Sequence, residues 1–150
     1  MIKIEGECLI FDNGVMKPLK CIHMIKSSGD DLYFVNTKNG YCAQYPYKLE
    51  DLYQVFQNEG LNNFFLAENT IINLDYVKSV FIPKQDNKDF SLFSTVIRNL
   101  PNEEDSRVTV ELKTDWKEDI WCDSSKEAEN LYREIDEKLN DLRNAEQTCN

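Results

Sequence analysis

The side chains of this chain that could bind a partner are carboxylates and an indole in its last third. A run of three acids precedes a tryptophan that has acids on both sides of it. Indole rings inside an acidic rim are typical of protein–protein hot spots, and they favour Arg or Lys side chains through cation–π and ionic attraction. The pattern therefore predicts a partner-binding site, whose residues are Glu103, Glu104, Asp105, Asp115, Trp116, Glu118 and Asp119.

These residues also have structural interpretations that need no partner. Adjacent acids in a polar loop are usually a solvated surface, and Trp116 can serve simply to cover a hairpin turn. Trp121 follows on the returning strand of the same predicted hairpin, and we expect it to pack in the core. The acidic last third is thus either a binding surface or a solubilising one.

The acidic excess is concentrated near the C-terminal end. The chain has 27 acids and 17 bases, a net charge of -10. Residues 1–100 hold 12 acids and 10 bases, whereas residues 101–150 hold 15 acids and 7 bases. Such a field repels nucleic acid and anionic membranes, and it attracts positively charged surfaces. We therefore expect another protein with a basic surface as the partner, and no direct contact with nucleic acid or membrane.

No arrangement in the sequence indicates catalysis. Glycine-rich phosphate loops and the G-x-S-x-G motif are absent, and the chain has only five glycines and one histidine. Cys21 and His23 are two residues apart, which places them on one face of a predicted strand rather than in a clear metal site. We therefore expect a protein that is not an enzyme, with no catalytic residue, no cofactor and no metal.

The cysteines and the hydropathy pattern indicate the compartment. Five cysteines at irregular spacings, without a C-x-x-C pair, do not suggest a disulfide framework. No apolar run approaches the roughly 20 residues of a membrane-spanning helix. The N-terminal segment begins with alternating polar and apolar residues and lacks the apolar core of a signal peptide. We expect the chain to remain in the cytoplasm.

Alternation and turn signals predict a single compact α+β domain over residues 1–150. We expect an antiparallel sheet of roughly six to nine short strands, with the clearest hairpin at residues 32–45. One short central helix is predicted at about 48–58, where apolar residues recur at helical spacing, and Gly60 is expected to end it.

The longest predicted element is a C-terminal helix at about 124–143. Ser124 and Glu127 form a capping box at its start. The tail 144–150 is expected to fray. We expect the apolar stripe of this helix to cover the sheet through Leu131, Ile135 and Leu139.

The order strand, turn, strand, helix occurs twice, at residues 32–58 and 108–143. An internal ββα duplication is one explanation of this repetition. The other is that a hairpin followed by a helix is common in α+β proteins. The sequence leaves both open.

The segment 64–80 resembles the later half of LytTR-type DNA-binding domains. The specific match is Ile71-Ile72-Asn73-Leu74, followed by Val77 and Val80. The preceding order of a hairpin and a short helix is also similar, so the resemblance extends over about residues 20–140. It implies a LytTR-like fold. The Asn73-Leu74-Asp75 corner also has a purely structural explanation, because Asn and Asp side chains cap nearby backbone.

The chain departs from this family at a stretch that matters for DNA. Where LytTR-type domains carry His-Arg-Ser, this chain has Ala67, Glu68 and Asn69. An acid there loses a phosphate or base contact and adds repulsion. The resemblance therefore implies the fold, and the substitution argues against DNA binding.

These observations favour a non-enzymatic acidic interaction protein, a regulator or inhibitor that binds a basic surface of another protein. A phage- or mobile-element-encoded protein that imitates nucleic acid is one version of this hypothesis. One alternative is a small-ligand binder or enzyme whose site is assembled from distant residues. Another is a degenerate LytTR-type transcription-regulator domain. Homo-oligomers, formed through an edge strand with Pro18 or through the C-terminal helix, also stay open.

Overall fold

The computed structural model describes residues 2–29, 31–36, 40–83 and 106–148. Antiparallel strands and helices occur together in these ranges, which confirms the predicted α+β class. The chain divides into two compact units. The first unit contains Met1–Lys78 and Leu112–Trp116, and the second contains Ser79–Glu111 and Lys117–Asn150.

The first sheet is a short three-stranded meander with the order β1-β2-β3. At the turn between β2 and β3, Gly14 adopts a positive φ of 83°, which only glycine adopts at little cost. The Asn13 side chain accepts a hydrogen bond from the Val15 N–H at 3.0 Å. Asn13 and Gly14 therefore form the turn between β2 and β3. The strands are β1 (Lys3–Glu5), β2 (Cys8–Ile10) and β3 (Met16–Pro18).

The second sheet has five strands in the order β6-β5-β4-β8-β7. Ile25 of its central strand pairs with Phe34 on one side and Ile71 on the other. The hairpin predicted at residues 32–45 is confirmed as the antiparallel pair β5–β6. The strands are β4 (Met24–Ser28), β5 (Asp31–Asn36), β6 (Gly40–Tyr45), β7 (Phe64–Ala67) and β8 (Thr70–Asn73).

Helix α1 (Leu49–Asn58) confirms the predicted short helix, and Gly60 follows its C-cap residue Glu59 as the expected stop. Gly60 has a φ of 71° and donates its N–H to the Gln57 carbonyl at 3.0 Å. The Leu61 N–H reaches back to the Phe56 carbonyl at 3.0 Å. These two bonds form a Schellman motif, which satisfies carbonyls at the helix end and fixes the direction in which Leu61 leaves it.

The core of the first unit joins α1 to the first two sheets. Phe56 stacks on Phe64 of β7 with ring centroids 4.2 Å apart, and Phe11 packs edge-on against Phe34 at 5.9 Å. Burying side chains of this size is the main source of stability in a unit of this kind. The cluster consists of Ile2, Leu9, Phe11, Ile22, Ile25, Leu32, Phe34, Leu49, Leu52, Phe56, Phe64 and Ile71.

The third sheet has the order β11-β10-β9. Val108 of β10 pairs with Ile120 of β11, and both are buried. The hairpin turn runs from Leu112 to Trp116, where the Leu112 N–H donates to the Trp116 carbonyl at 2.8 Å. The strands are β9 (Val77–Phe81), β10 (Arg107–Leu112) and β11 (Lys117–Trp121).

Helix α2 (Ser125–Thr148) confirms the long C-terminal helix and continues five residues beyond its predicted end, into the tail expected to fray. At its start, the Glu127 N–H donates to Ser124 Oγ at 3.2 Å. The Glu127 carboxylate accepts from the Asp123 N–H at 3.2 Å, one residue before the position that a capping box predicts. Ile135 and Leu139 are buried, whereas Leu131 is only half-buried.

The strands lie in three sheets, whereas the sequence analysis predicted one, because two 3₁₀ turns interrupt the extended runs. The 3₁₀ turn Leu19–Cys21 separates β3 from β4 and begins directly after Pro18, the last residue of β3. Leu74–Tyr76 separates β8 from β9, and the Asn73 side chain caps it. Neither α1 nor α2 has an apolar stretch long enough to cross a membrane, and the other described residues contain no such helix.

Candidate functional site

The predicted acidic site is only partly described. Glu103, Glu104 and Asp105 lie outside the described residues. Asp115 belongs to the first unit and is exposed in the β10–β11 turn, where its φ is 70°. Its carboxylate is 3.7 Å from the Lys78 ammonium, and both side chains are largely in solvent. Exposed ion pairs of this kind are weak, so Asp115 stays accessible to a partner.

Glu118 and Asp119, in the second unit, differ from the exposed rim that the sequence suggested. Glu118 is 6% exposed, because the alternation of β11 turns it to the same buried side as Ile120. Asp119 accepts hydrogen bonds from Thr109 Oγ1 at 2.7 Å and from Arg107 Nη1 at 3.0 Å. The hairpin therefore holds the Asp119 carboxylate through two side chains of β10, and the Glu118 side chain is buried. The role of the two acids in partner binding stays a prediction.

The two tryptophans also differ from expectation. Trp121 was expected in the core, but its side chain is 52% exposed. It directly follows the buried Ile120 in β11, and successive side chains of a strand point to opposite faces of the sheet. The Arg107 guanidinium lies 5.5 Å from the centroid of the Trp121 ring, in cation–π contact. Trp116 is half-buried in the first unit. An exposed indole is thus present, but at residue 121 rather than 116.

The turn between β7 and β8 presents a carboxylate to solvent. Ala67 pairs with Thr70, so Glu68 and Asn69 alone form the turn. Both are exposed. The backbone of Asn69 is fixed, because its carbonyl accepts from the Ser27 N–H at 3.0 Å. The Glu68 side chain therefore projects from a two-residue turn that a hydrogen bond to β4 holds in place.

Glu68 adopts a backbone conformation that is unfavourable for its residue type. Its φ is 52°, in the left-handed region, where a side chain other than Gly, Asn or Asp costs about 1–2 kcal/mol. Glu68 and Asp115 are the two non-glycine residues with positive φ in the described part of the chain. Both are exposed acids at hairpin turns of the first unit. Two-residue hairpin turns require a positive φ in their central residues, so the turn itself accounts for the conformation of Glu68.

A polar corner follows β8 and is buried at its centre. Asn73 is 2% exposed, and its Nδ2 donates to the Ile22 carbonyl at 2.8 Å. Its Oδ1 accepts from the Asp75 N–H and from Asn63 Nδ2, each at 3.1 Å. Asn63 Nδ2 also donates to Asp75 Oδ2 at 3.2 Å. The predicted structural role of Asn73 as a corner residue therefore agrees with its contacts.

His23 lies beside this corner, outside the strands rather than on a strand face shared with Cys21. It is 9% exposed, its ring centroid is 4.0 Å from that of Tyr76, and its Nδ1 has no hydrogen-bond partner in the described chain. Cys21 is exposed in a 3₁₀ turn. Within residues 2–29, 31–36, 40–83 and 106–148, no three His, Cys, Asp or Glu side chains are grouped to hold a metal ion.

Burial of His23 predicts a loss of stability in mild acid. Desolvation lowers the pKa of this imidazole below 6.5, so the unfolded chain binds its proton more readily than the folded chain. The free energy of unfolding should therefore fall as the pH falls below about 6.5. Because His23 is the one histidine, this dependence should flatten in His23→Gln over about pH 7 to 5.5. Urea unfolding at several pH values measures this dependence. A free energy of unfolding that falls with pH as steeply in His23→Gln as in the parent chain would contradict the prediction.

The comparisons with known proteins give a fold and no family. No protein-family model matches the chain, and no curated protein matches it. Its structure is similar to the solved LytTr DNA-binding domain of a methyl-accepting/DNA response regulator from Bacillus cereus. The TM-score is 0.51 at 9% sequence identity, covering 85% of this chain and 93% of that one. The LytTR-like fold that the sequence suggested is confirmed, and at this identity the similarity extends to the fold alone.

Proposed function

We propose that this chain has a LytTR-like fold that binds a basic surface of another protein, as a regulator or inhibitor, and that it does not bind DNA. The observation that carries the proposal is the exposed carboxylate of Glu68. It occupies the turn where the resemblance to LytTR-type domains places basic and polar residues. A carboxylate there repels phosphate and attracts Arg or Lys.

The charge of the chain supports the same conclusion. Its net charge is -10, and helix α2 has seven acids against four bases. A field of this sign speeds encounter with a positive surface and slows encounter with a polyanion. The exposed acids of α2 include Glu127, Glu129, Glu134, Glu137 and Asp141.

Affinity purification from the native host tests the proposal. The tagged chain should retain a basic protein, less of it at about 200 mM salt than at about 50 mM. Nuclease treatment of the lysate should leave that retention unchanged, because the contact is between proteins. Loss of every retained protein after nuclease treatment would mean that nucleic acid forms the bridge, and the proposal would fail.

A substitution at Glu68 should separate stability from binding. Glu68→Asn keeps the turn and suits its positive φ, so the free energy of unfolding should stay equal or rise by up to about 1 kcal/mol. Partner binding should nevertheless weaken, because the carboxylate is gone. Glu59→Asn is the matched control, since Glu59 is an exposed acid of the same unit, at the end of α1. Equal binding by the two variants in a titration with the purified partner would exclude Glu68 from the surface.

A further inference from the structure

A cavity of about 490 Å³ lies within the first unit and includes the Asn73 corner. This volume is within the range of small-ligand sites. Its apolar lining consists of Leu19, Leu61 and Phe64. Its polar lining consists of Glu7, Lys20, Asn63, Asn73, Asp75 and Tyr76.

Backbone hydrogen bonds fix the walls of this cavity. The Schellman motif at the end of α1 positions Leu61. The Leu19 N–H donates to the Glu7 carbonyl at 2.8 Å, which joins the β1–β2 turn to the first 3₁₀ turn. The Leu74 N–H donates to the Asn63 carbonyl at 2.7 Å. The cavity is therefore part of the folded framework of the first unit.

The amide and hydroxyl donors of the lining are engaged within the protein. Asn63 Nδ2 directs its two hydrogens to Asn73 Oδ1 and Asp75 Oδ2. Asn73 Nδ2 donates to a backbone carbonyl, and so does the Tyr76 hydroxyl. The orientation of the Asn73 amide is fixed, because its oxygen accepts from the Asp75 N–H. An entering group that needs donors finds few in these side chains.

The two carboxylates of the lining keep oxygen atoms that accept no hydrogen bond within the described chain. Asp75 engages Oδ2 alone, which leaves Oδ1 for a ligand, and the Glu7 carboxylate has no hydrogen bond or ion pair among the residues placed by the structure. Lys20 is the one cation of the lining and is exposed, so its ammonium can move toward solvent. The lining thus combines two carboxylates with three apolar side chains. This combination suits a cation with several N–H donors on an aliphatic stem.

We propose that this cavity binds the guanidinium group of an arginine side chain on the basic partner, an inference that rests on the proposed function. A guanidinium has five N–H donors in a planar fork, which can reach two carboxylates at once. Its three-carbon stem would cover Leu19, Leu61 and Phe64. Free arginine-like molecules share this chemistry, so the experiment must separate the two sources.

The first arm uses a small probe, Nα-acetyl-arginine amide, followed by NMR of the full chain. The probe should shift the backbone signals of the cavity residues, and the neutral citrulline analogue should not. Replacing both carboxylates, in Glu7→Gln/Asp75→Asn, should weaken binding about tenfold. The control Glu50→Gln/Glu59→Gln removes two exposed acids of the same unit outside the cavity and should bind as the parent does. Melting curves confirm that each variant is folded.

Lys20→Ala distinguishes a cationic ligand from an anionic one. Removing the ammonium should tighten binding of the arginine probe severalfold, because a like charge leaves the lining. Weaker binding by Lys20→Ala, or equal shifts with the citrulline analogue, would overturn the assignment of a cation site.

The second arm uses an arginine-rich peptide and its citrulline-substituted form as a simple basic partner. The chain should retain the arginine peptide, and the cavity variant should retain less of it than the control variant. Equal retention by both variants would refute the cavity and leave the proposed function intact. Binding of the small probe without retention of the peptide would refute both the proposed function and the partner as the source of the arginine.

Discussion

Replacing Asn73 by alanine should destabilise the chain by about 3 kcal/mol, although the substitution removes no apolar contact. The loss has two parts. The buried Ile22 carbonyl is left without its donor, at about 1–3 kcal/mol. The Asp75 N–H loses its cap, at about 1 kcal/mol. For a chain of this length, the melting temperature should fall by roughly 10 °C.

Asn62→Ala is the control for this substitution. Asn62 is exposed on the neighbouring loop and makes no side-chain hydrogen bond in the described structure. Its removal should change the melting temperature by a degree or two at most. If calorimetry gave equal melting temperatures for the two variants, the Asn73 network would not stabilise the corner between β8 and β9.

An acid at position 135 should have the largest effect of any single substitution considered. Ile135 is 0% exposed, so Ile135→Asp buries an unpaired carboxylate and removes a packed side chain. Together these two changes should lower the free energy of unfolding by more than about 4 kcal/mol. We expect the second unit to lose its fold, with a large drop in helical circular dichroism from α2.

Two further variants on α2 determine whether the effect comes from burial. Leu131→Asp should lower the free energy of unfolding clearly less than Ile135→Asp does, because Leu131 is only half-buried. Asn130→Asp introduces the same acid at an exposed position and should be nearly neutral. A larger loss in Leu131→Asp than in Ile135→Asp would contradict the orientation of α2.

The elements that follow local rules were predictable from the sequence. Helix α1 stops just before Gly60 because glycine accepts the positive φ of a Schellman motif, and Asn13-Gly14 forms its turn for a similar reason. The division into three sheets was not predictable in the same way. It depends on the 3₁₀ turns at Leu19–Cys21 and Leu74–Tyr76, which periodicity alone does not distinguish from extended chain.

The candidate sites were less predictable, because they depend on strand phase and on distant residues. Side chains alternate between the two faces of β11, so an error of one residue in the predicted phase exchanges the buried and the exposed positions. Glu118 is buried and Trp121 is exposed. The cavity brings Glu7 close to Asn63 and Asp75, residues that lie in separate parts of the sequence. The turn at Glu68 was the exception, because the departure from the LytTR pattern was visible in three consecutive residues.

We propose that the acidic turn of this LytTR-like fold rejects DNA and accepts a basic protein. A pool of random-sequence DNA duplexes, carried through rounds of selection against the immobilised chain at physiological salt, tests it most directly. We expect no enrichment and no duplex that binds more tightly than about 10⁻⁴ M, the weak end of non-specific binding. A selected duplex that bound at about 10⁻⁸ M, the affinity of specific DNA-binding proteins, would show that the chain is a DNA-binding protein.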